Sequence, residues 1–235
     1  MVLSKAGVAN FEPVVEHESW LRSGPVVSHL PDGDIAVLEE QAIIGVADAS
    51  PLGLFGFATG TWMVATVMGG MLPADALVGT APVLLVFAGI VQFIAGLYVY
   101  RRANAMAGTA FCSFGAFNFT VAVTLLLQAT KLIPSTGGAS VLQGYLLESF
   151  GFIALALMIA ALRANAALVA VLGTLCVGYV LSGIPHFVDP NTVTPGATGQ
   201  IGAYFLLASA FFAYYAGAAL VVNSSWKRTV LPLGR

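Results

Sequence analysis

The sequence has few charged residues for its length. Of 235 residues, only 9% are Asp, Glu, Lys or Arg, whereas a soluble domain carries about 25%. Apolar side chains make up 58% of the chain, and its mean hydropathy is +0.90. So few charges cannot solvate a globule of this size, which excludes a soluble enzyme for the bulk of the chain. The composition is that of a polytopic membrane protein, and a net charge of −2 offers no basic surface to nucleic acid.

The chain also lacks the motifs of metal and cofactor chemistry. Its two cysteines, Cys112 and Cys176, lie in apolar runs without metal-ligand spacing. There is no His/Cys cluster and no glycine loop of the nucleotide-binding kinds. We therefore predict no metal, no cofactor and no enzymatic activity.

The acidic residues are concentrated at the start of the chain. Eight of the eleven lie in the first 50 residues: Glu12, Glu16, Glu18, Asp32, Asp34, Glu39, Glu40 and Asp48. This stretch has no apolar run long enough to cross a membrane. We predict that residues 1–50 form an acidic cytoplasmic tail, partly disordered or lying against the main body.

Six long apolar stretches follow this tail. They cover about 53–71, 82–100, 107–129, 143–162, 166–184 and 198–222. Each is close to the roughly 20 residues that a helix needs to span a bilayer. The runs are continuous rather than alternating, so strands of a barrel are excluded. We predict an all-α membrane protein with a compact six-helix bundle over 51–223 and a short cytoplasmic tail over 224–235.

The distribution of Lys and Arg predicts the orientation. Six spans put both termini on one side, and that side collects eight of the nine basic residues. The other side has only Lys131. Because cytoplasmic loops are enriched in basic residues, we predict an integral plasma or inner membrane protein with both termini in the cytoplasm.

The polar residues inside the spans leave two interpretations open. Gln92 and Asn118 either join two helices by a hydrogen bond or line a path for a small polar solute. Glu148 is the one acidic residue within a predicted span. It is either an intramembrane proton acceptor or, near the start of its span, a carboxyl that reaches water. His186 follows the fifth span and is predicted to be an ordinary loop residue.

Three motifs occur in a characteristic order. The first span begins Ser50-Pro51-Leu52-Gly53-Leu54-Phe55-Gly56-Phe57-Ala58. The second and third contain Gln92-Phe93-Ile94-Ala95-Gly96-Leu97, then Asn104 and the run Gly108 to Phe117. The chain ends Arg228-Thr229-Val230-Leu231-Pro232-Leu233-Gly234-Arg235. Over about residues 46–235 this set resembles the acetate uptake transporter family, the SatP-like acetate/succinate–proton symporters of bacteria, with archaeal and yeast relatives.

The resemblance implies both an architecture and an activity. Family members are six-helix protomers that assemble as homohexamers, and they carry acetate, or in some cases succinate, with a proton. Their hydrophobic constriction matches Phe57, Phe114 and Leu175 here. We expect the polar lining of the path to comprise Gln92, Asn104, Thr109, Ser113 and Asn118, and we take Glu148 as the proton-coupling candidate.

The sequence departs from the family pattern at four places. Asp48-Ala49 stands where Asn-Pro is usual, and Phe114 stands where Tyr is common. Asn118 replaces the Trp of a bacterial relative, and Glu148 replaces a small residue. These departures leave alternatives open: a channel for a neutral solute such as urea or ammonia, or a membrane sensor or scaffold whose acidic tail binds a partner.

Overall fold

The computed structural model describes residues 47–191 and 196–234, so nearly all of the predicted acidic tail lies outside the described residues. Within the described part, six helices are long and apolar enough to cross a membrane. They are α1 (Ser50–Met68), α2 (Ala81–Tyr100), α3 (Ala105–Ala129), α4 (Gly137–Ala161), α5 (Ala166–Val188) and α6 (Gly196–Trp226). A four-residue turn of helix, Ala76–Gly79, lies between α1 and α2. The predicted all-α membrane fold with six spans is confirmed.

Polar side chains mark the starts of the helices. The carboxylate of Asp48 accepts hydrogen bonds from the Ser50 N–H (2.9 Å) and hydroxyl (2.7 Å), and Pro51 occupies the first turn of α1. Asn104 caps α3 by accepting from the Ala107 N–H, and Asn165 caps α5 by accepting from the Leu168 N–H. Each cap satisfies an N–H that the first helical turn leaves unpaired.

Helix α2 changes its winding in the middle. Residues Val86–Val91 form a π-helical segment between α-helical segments Ala81–Leu85 and Gln92–Tyr100. The Gln92 N–H donates to the carbonyls of Phe87 and Gly89. In a regular α-helix it would donate to the carbonyl of Ala88 instead. Such π-segments are rare and occur frequently at functional sites.

Successive helices pack antiparallel through close contacts at small residues. Between α2 and α3, a Cβ built on Gly96 would lie 2.8 Å from the Cys112 nitrogen, and one on Gly115 would lie 2.8 Å from the Phe93 nitrogen. A side chain at either glycine would collide with the backbone of the facing helix, which cannot move aside as the end of a flexible side chain can. Helix α6 in turn packs against α1, where Gly217 faces the Phe55 ring. The bundle therefore closes into a ring of helices, as small residues permit in lipid.

Several helices extend beyond their predicted ends, and the extensions of α4 and α5 affect candidate site residues. Helix α4 begins at Gly137, six residues before the predicted start, because the Thr136 hydroxyl accepts from the Ala139 N–H and caps it there. Helix α5 continues through Pro185 to Val188. The loop predicted for His186 is wrong, since this residue is helical. A proline removes one N–H without ending the helix where neighbouring helices support it.

The C-terminal segment folds back onto the bundle. The Asn223 side chain accepts from the Val230 N–H (2.7 Å) and Leu231 N–H (2.9 Å) and donates to the Leu231 carbonyl (2.8 Å). The Leu233 carbonyl accepts from the Ala167 N–H (3.0 Å) at the start of α5. The segment thus ties the end of α6 to the start of α5.

Candidate functional site

A large cavity of about 370 Å³ enters the bundle from the face where α1, α3 and α5 end. Its outer part is polar and is formed by the ends of α3 and α5 and the start of α4. Its inner part lies among mid-helix residues. The lining includes Gly60, Thr61, Phe117, Asn118, Gln128, Ser135, Thr136, Ser140, Gln143, Leu147, Tyr179, Ser182, His186, Asp189, Asn191 and Leu206.

A second, smaller cavity of about 40 Å³ lies nearer the opposite face. Its described lining is apolar except for Gln92: Leu54, Phe57, Gln92, Met106, Ala107, Ala110, Phe111, Phe114, Leu168, Val171, Leu172 and Leu175. These residues come from the first halves of α1, α3 and α5 and from α2. The two cavities therefore approach each other from opposite faces of the bundle.

One helical turn separates the linings of the two cavities. On α1 the lining passes from Phe57 to Gly60, and on α3 from Phe114 to Phe117. On α5 it passes from Leu175 to Tyr179. One turn is about 5.4 Å along a helix, so the closed part of the path is short.

The three residues of the expected constriction lie together at this level. Phe57 and Phe114 are each 3% exposed and Leu175 is fully buried, and all three line the smaller cavity. The rings of Phe57 and Phe114 are 5.7 Å apart between centroids, in a tilted arrangement. Their side chains leave no open passage between the cavities.

The aromatic cluster extends further than the sequence analysis predicted. Tyr179 lies 5.3 Å from Phe117 and 6.3 Å from Phe114, measured between ring centroids. Phe150 of α4 lies 4.6 Å from Phe117. Helical spacing contained the signal, because Phe117 is three residues after Phe114 and Tyr179 is four after Leu175, and such positions share a helix face.

The amides of Gln92 and Asn118 join α2 to α3. The Asn118 Nδ2 donates to the Ala88 carbonyl (3.2 Å) and to the Gln92 Oε1 (3.3 Å). Gln92 is fully buried and Asn118 is 6% exposed. The pair therefore joins two helices by a hydrogen bond. Each member also lines a cavity, and their role in a path for a polar solute stays a prediction.

Three of the expected polar lining residues contribute to neither cavity wall. Asn104 is the exposed cap of α3. The Thr109 hydroxyl shares a hydrogen bond of 2.6 Å with the Tyr100 hydroxyl. Ser113 is half-buried on α3. These residues lie nearer the face where the smaller cavity lies, outside the two linings.

Glu148 lies in the middle of α4 rather than near its start, because this helix begins at Gly137. Its carboxyl rests against α5, where a Cβ built on Gly183 would lie 2.5 Å from Oε1. The side chain is half-buried and lines neither cavity. His186 lines the larger cavity instead, and its Nδ1 shares a hydrogen bond of 2.9 Å with the Ser140 hydroxyl.

This arrangement suits a path for a small solute. A cavity with polar side chains around its mouth leads to a barrier of buried apolar side chains, and the described lining of both cavities contains neither Lys nor Arg. Transfer of a bare ion through such a barrier costs several kcal/mol. A neutral molecule, or an anion that moves with a proton, avoids most of this cost.

The comparisons with known proteins agree with this architecture. A family model described as the GPR1/FUN34/yaaH family matches residues 36–234. The chain is 29% identical to the succinate-acetate/proton symporter SatP of Escherichia coli K12 over 189 residues, covering 80% of this chain and 96% of that protein. It is 30% identical to ammonia transport outward protein 2 of Saccharomyces cerevisiae, covering 76% of this chain and 64% of that protein.

A solved structure has the same fold. The structure of the bacterial acetate channel SatP superimposes with a TM-score of 0.72 at 27% sequence identity. The match covers 80% of this chain and 99% of that chain.

Proposed function

Because the chain belongs to the GPR1/FUN34/yaaH family, whose members are transporters and channels rather than enzymes, we propose that it moves acetate and related small carboxylates across a membrane. The observation that carries this proposal is the pair of cavities separated by a single apolar turn. The fold that holds them is that of a bacterial acetate channel.

Phe57, Phe114 and Leu175 act as the gate in this proposal. Acetate enters the larger cavity and reaches its inner end beside Thr61, Asn118 and Ser182. A proton accompanies it past the gate, because the barrier supplies no positive charge to replace the lost hydration. Side-chain rotation of the two phenylalanines opens the path, and closure expels water from it.

Both cavities and the barrier between them are lined by described residues of one chain. In the proposed homohexamer each protomer therefore has a path of its own. Succinate fits the same route only in a protonated form, since a dianion meets a larger desolvation cost.

Ammonia is the second candidate solute. The yeast relative named as an ammonia transport protein and the apolar lining of the smaller cavity both favour it. Neutral ammonia crosses an apolar barrier without any counter-charge.

Uptake by proteoliposomes distinguishes the two candidates. Labelled acetate is supplied with and without an inward proton gradient, with succinate, formate and urea as competitors. We expect uptake that the gradient stimulates and that other short carboxylates inhibit. Absent acetate uptake, together with rapid alkalinisation of the vesicle interior by ammonia, contradicts the proposal and favours the neutral solute.

A further inference from the structure

Two buried polar atoms have no hydrogen-bond partner among residues 47–191 and 196–234. They are the Gln92 Nε2 and the Ser182 Oγ, and their side chains are fully buried and 1% exposed, respectively. Buried polar groups are nearly always paired, because an unpaired one loses its hydration without compensation. Each unpaired group in a folded protein therefore needs an explanation.

The positions of the two residues suggest an explanation for the unpaired atoms. Gln92 is one of the residues that line the smaller cavity, and Ser182 is one of those that line the larger one. The two unpaired atoms are themselves buried behind these walls. Packing alone would not place one unpaired polar group in a lining residue of each cavity, on either side of the same barrier.

Asn118 fixes which end of the Gln92 amide is unpaired. Its Nδ2 donates to the Ala88 carbonyl, which can only accept. The same Nδ2 faces Gln92, so the Gln92 Oε1 turns toward Asn118 and its Nε2 turns away. The π-segment contributes, because the Gln92 N–H bonds Phe87 and Gly89 rather than Ala88. Gln92 thus keeps a donor unpaired, and a donor is what a carboxylate requires.

We propose that the Gln92 Nε2 and the Ser182 Oγ are the hydrogen-bond donors that receive the substrate's carboxyl group on the two sides of the gate, and that Asn118 is the positioning residue for Gln92. The inference rests on the proposed carboxylate transport. It assigns recognition of the carboxyl group to two neutral donors, in a path whose described lining has no Lys or Arg. Hydrogen bonds to a charged group are stronger than those between neutral groups, so the two residues favour carboxylic acids over ammonia or urea.

Kinetics of acetate uptake test the two donors. Gln92→Leu and Ser182→Ala each remove a donor with little change in volume. We expect each variant to raise the half-saturation concentration for acetate by about tenfold, the usual effect of losing one hydrogen bond to a charged group, with a smaller change in maximal rate. Gln200→Leu is the matched control, since Gln200 is exposed and lines neither cavity. Folding of every variant is checked by gel filtration in detergent.

Asn118→Asp tests the positioning role. A protonated Asp still bonds the Ala88 carbonyl, but its remaining oxygen can only accept, so Gln92 must turn its Nε2 toward it. We expect the half-saturation concentration to rise as in Gln92→Leu, while ammonia flux is unchanged. If Asn118 had a purely structural role, Asn118→Asp would change the acetate flux and the ammonia flux to the same extent.

The outcomes separate this inference from the proposed function. Wild-type vesicles that take up no acetate contradict the proposed function itself. Wild-type uptake with an unchanged half-saturation concentration in Gln92→Leu or in Ser182→Ala overturns the assignment of two donors. An Asn118→Asp variant that behaves as wild type overturns the positioning role.

Discussion

At the scale of single residues, the proposed gate depends on two aromatic rings, those of Phe57 and Phe114, that are almost completely buried. Replacing Phe114 by Ala removes the ring that contacts both Phe57 and Tyr179. We expect acetate flux to rise by about tenfold or more. A tenfold rise requires the activation free energy of permeation to fall by only about 1.4 kcal/mol. Phe57→Ala should act in the same direction. Stopped-flow or isotope uptake in proteoliposomes measures the effect.

An exposed phenylalanine outside both cavities supplies the control for this prediction. Phe152 of α4 is 72% exposed, and Phe152→Ala should leave flux unchanged. Loss of a buried Phe costs about 3–5 kcal/mol of stability, so monodispersity of each variant is checked first. Folded Phe57→Ala and Phe114→Ala proteins with wild-type flux would remove both residues from the gate.

Glu148 is the residue on which proton coupling is most simply tested. It is the one carboxyl within the six described spans, and it lies mid-helix against Gly183. Glu148→Gln keeps the shape and removes the titratable group. We expect stimulation of acetate uptake by an inward proton gradient to fall severalfold, while uptake without a gradient is retained.

Asp75→Asn is the matched change at an exposed position between α1 and α2. It should leave gradient stimulation intact. If Glu148→Gln also responds to the gradient as wild type does, the proton acceptor is not Glu148, and the proton crosses on the acid itself.

At this scale the sequence predicted site residues correctly placed in the bundle only where a family motif marked their positions. It predicted Phe57, Phe114 and Leu175, which the structure brings to one level of the bundle; their role as a gate stays a prediction. It placed Gln92 in the polar lining but did not predict that its Nε2 is unpaired, because pairing depends on which groups a neighbouring helix presents. Ser182 resembles any small residue in an apolar run, and only its setting on α5 distinguishes it.

At the scale of elements, the C-terminal segment acts as a tie between α5 and α6. Asn223 makes three hydrogen bonds with Val230 and Leu231. We expect Asn223→Ala to destabilise the protein by about 1 kcal/mol, because three hydrogen bonds to exposed or partly buried backbone groups are lost. Thermal unfolding in detergent, followed by fluorescence, should show a lower midpoint.

The exposed Ser225 lies two residues away and provides the comparison. Ser225→Ala should leave the unfolding midpoint unchanged. A midpoint for Asn223→Ala equal to that of the wild type would mean that the segment docks without stabilising the bundle.

The helix boundaries show why hydropathy alone does not predict where each helix begins or how it is wound. The apolar run of α4 begins near residue 143, but the helix begins at Gly137 because Thr136 caps it. This shift moves Glu148 from near the membrane surface to mid-helix. The π-segment of α2 gives no hydropathy signal at all, since changing the winding from 3.6 residues per turn leaves the composition unchanged. Six spans were predictable, whereas their local distortions depend on packing.

At the scale of the whole molecule, the distribution of basic residues predicts which way the cavities face. Arg101, Arg102, Arg163, Lys227 and Arg228 lie at the face where α2, α4 and α6 end, whereas Lys131 lies where α3 ends. The larger cavity opens at the face of Lys131. If basic residues mark the cytoplasm, this cavity faces outward and the smaller one inward.

Cysteine labelling in intact cells tests this orientation. In a background with Cys112 and Cys176 replaced by Ala, Ser135→Cys places one thiol beside the larger cavity, and Ser225→Cys places one at the other face. A membrane-impermeant maleimide should label Ser135→Cys directly and Ser225→Cys only after permeabilisation. The reverse pattern would put both termini outside. The polar mouth with His186 would then face the cytoplasm, and acid would be released there rather than captured from outside.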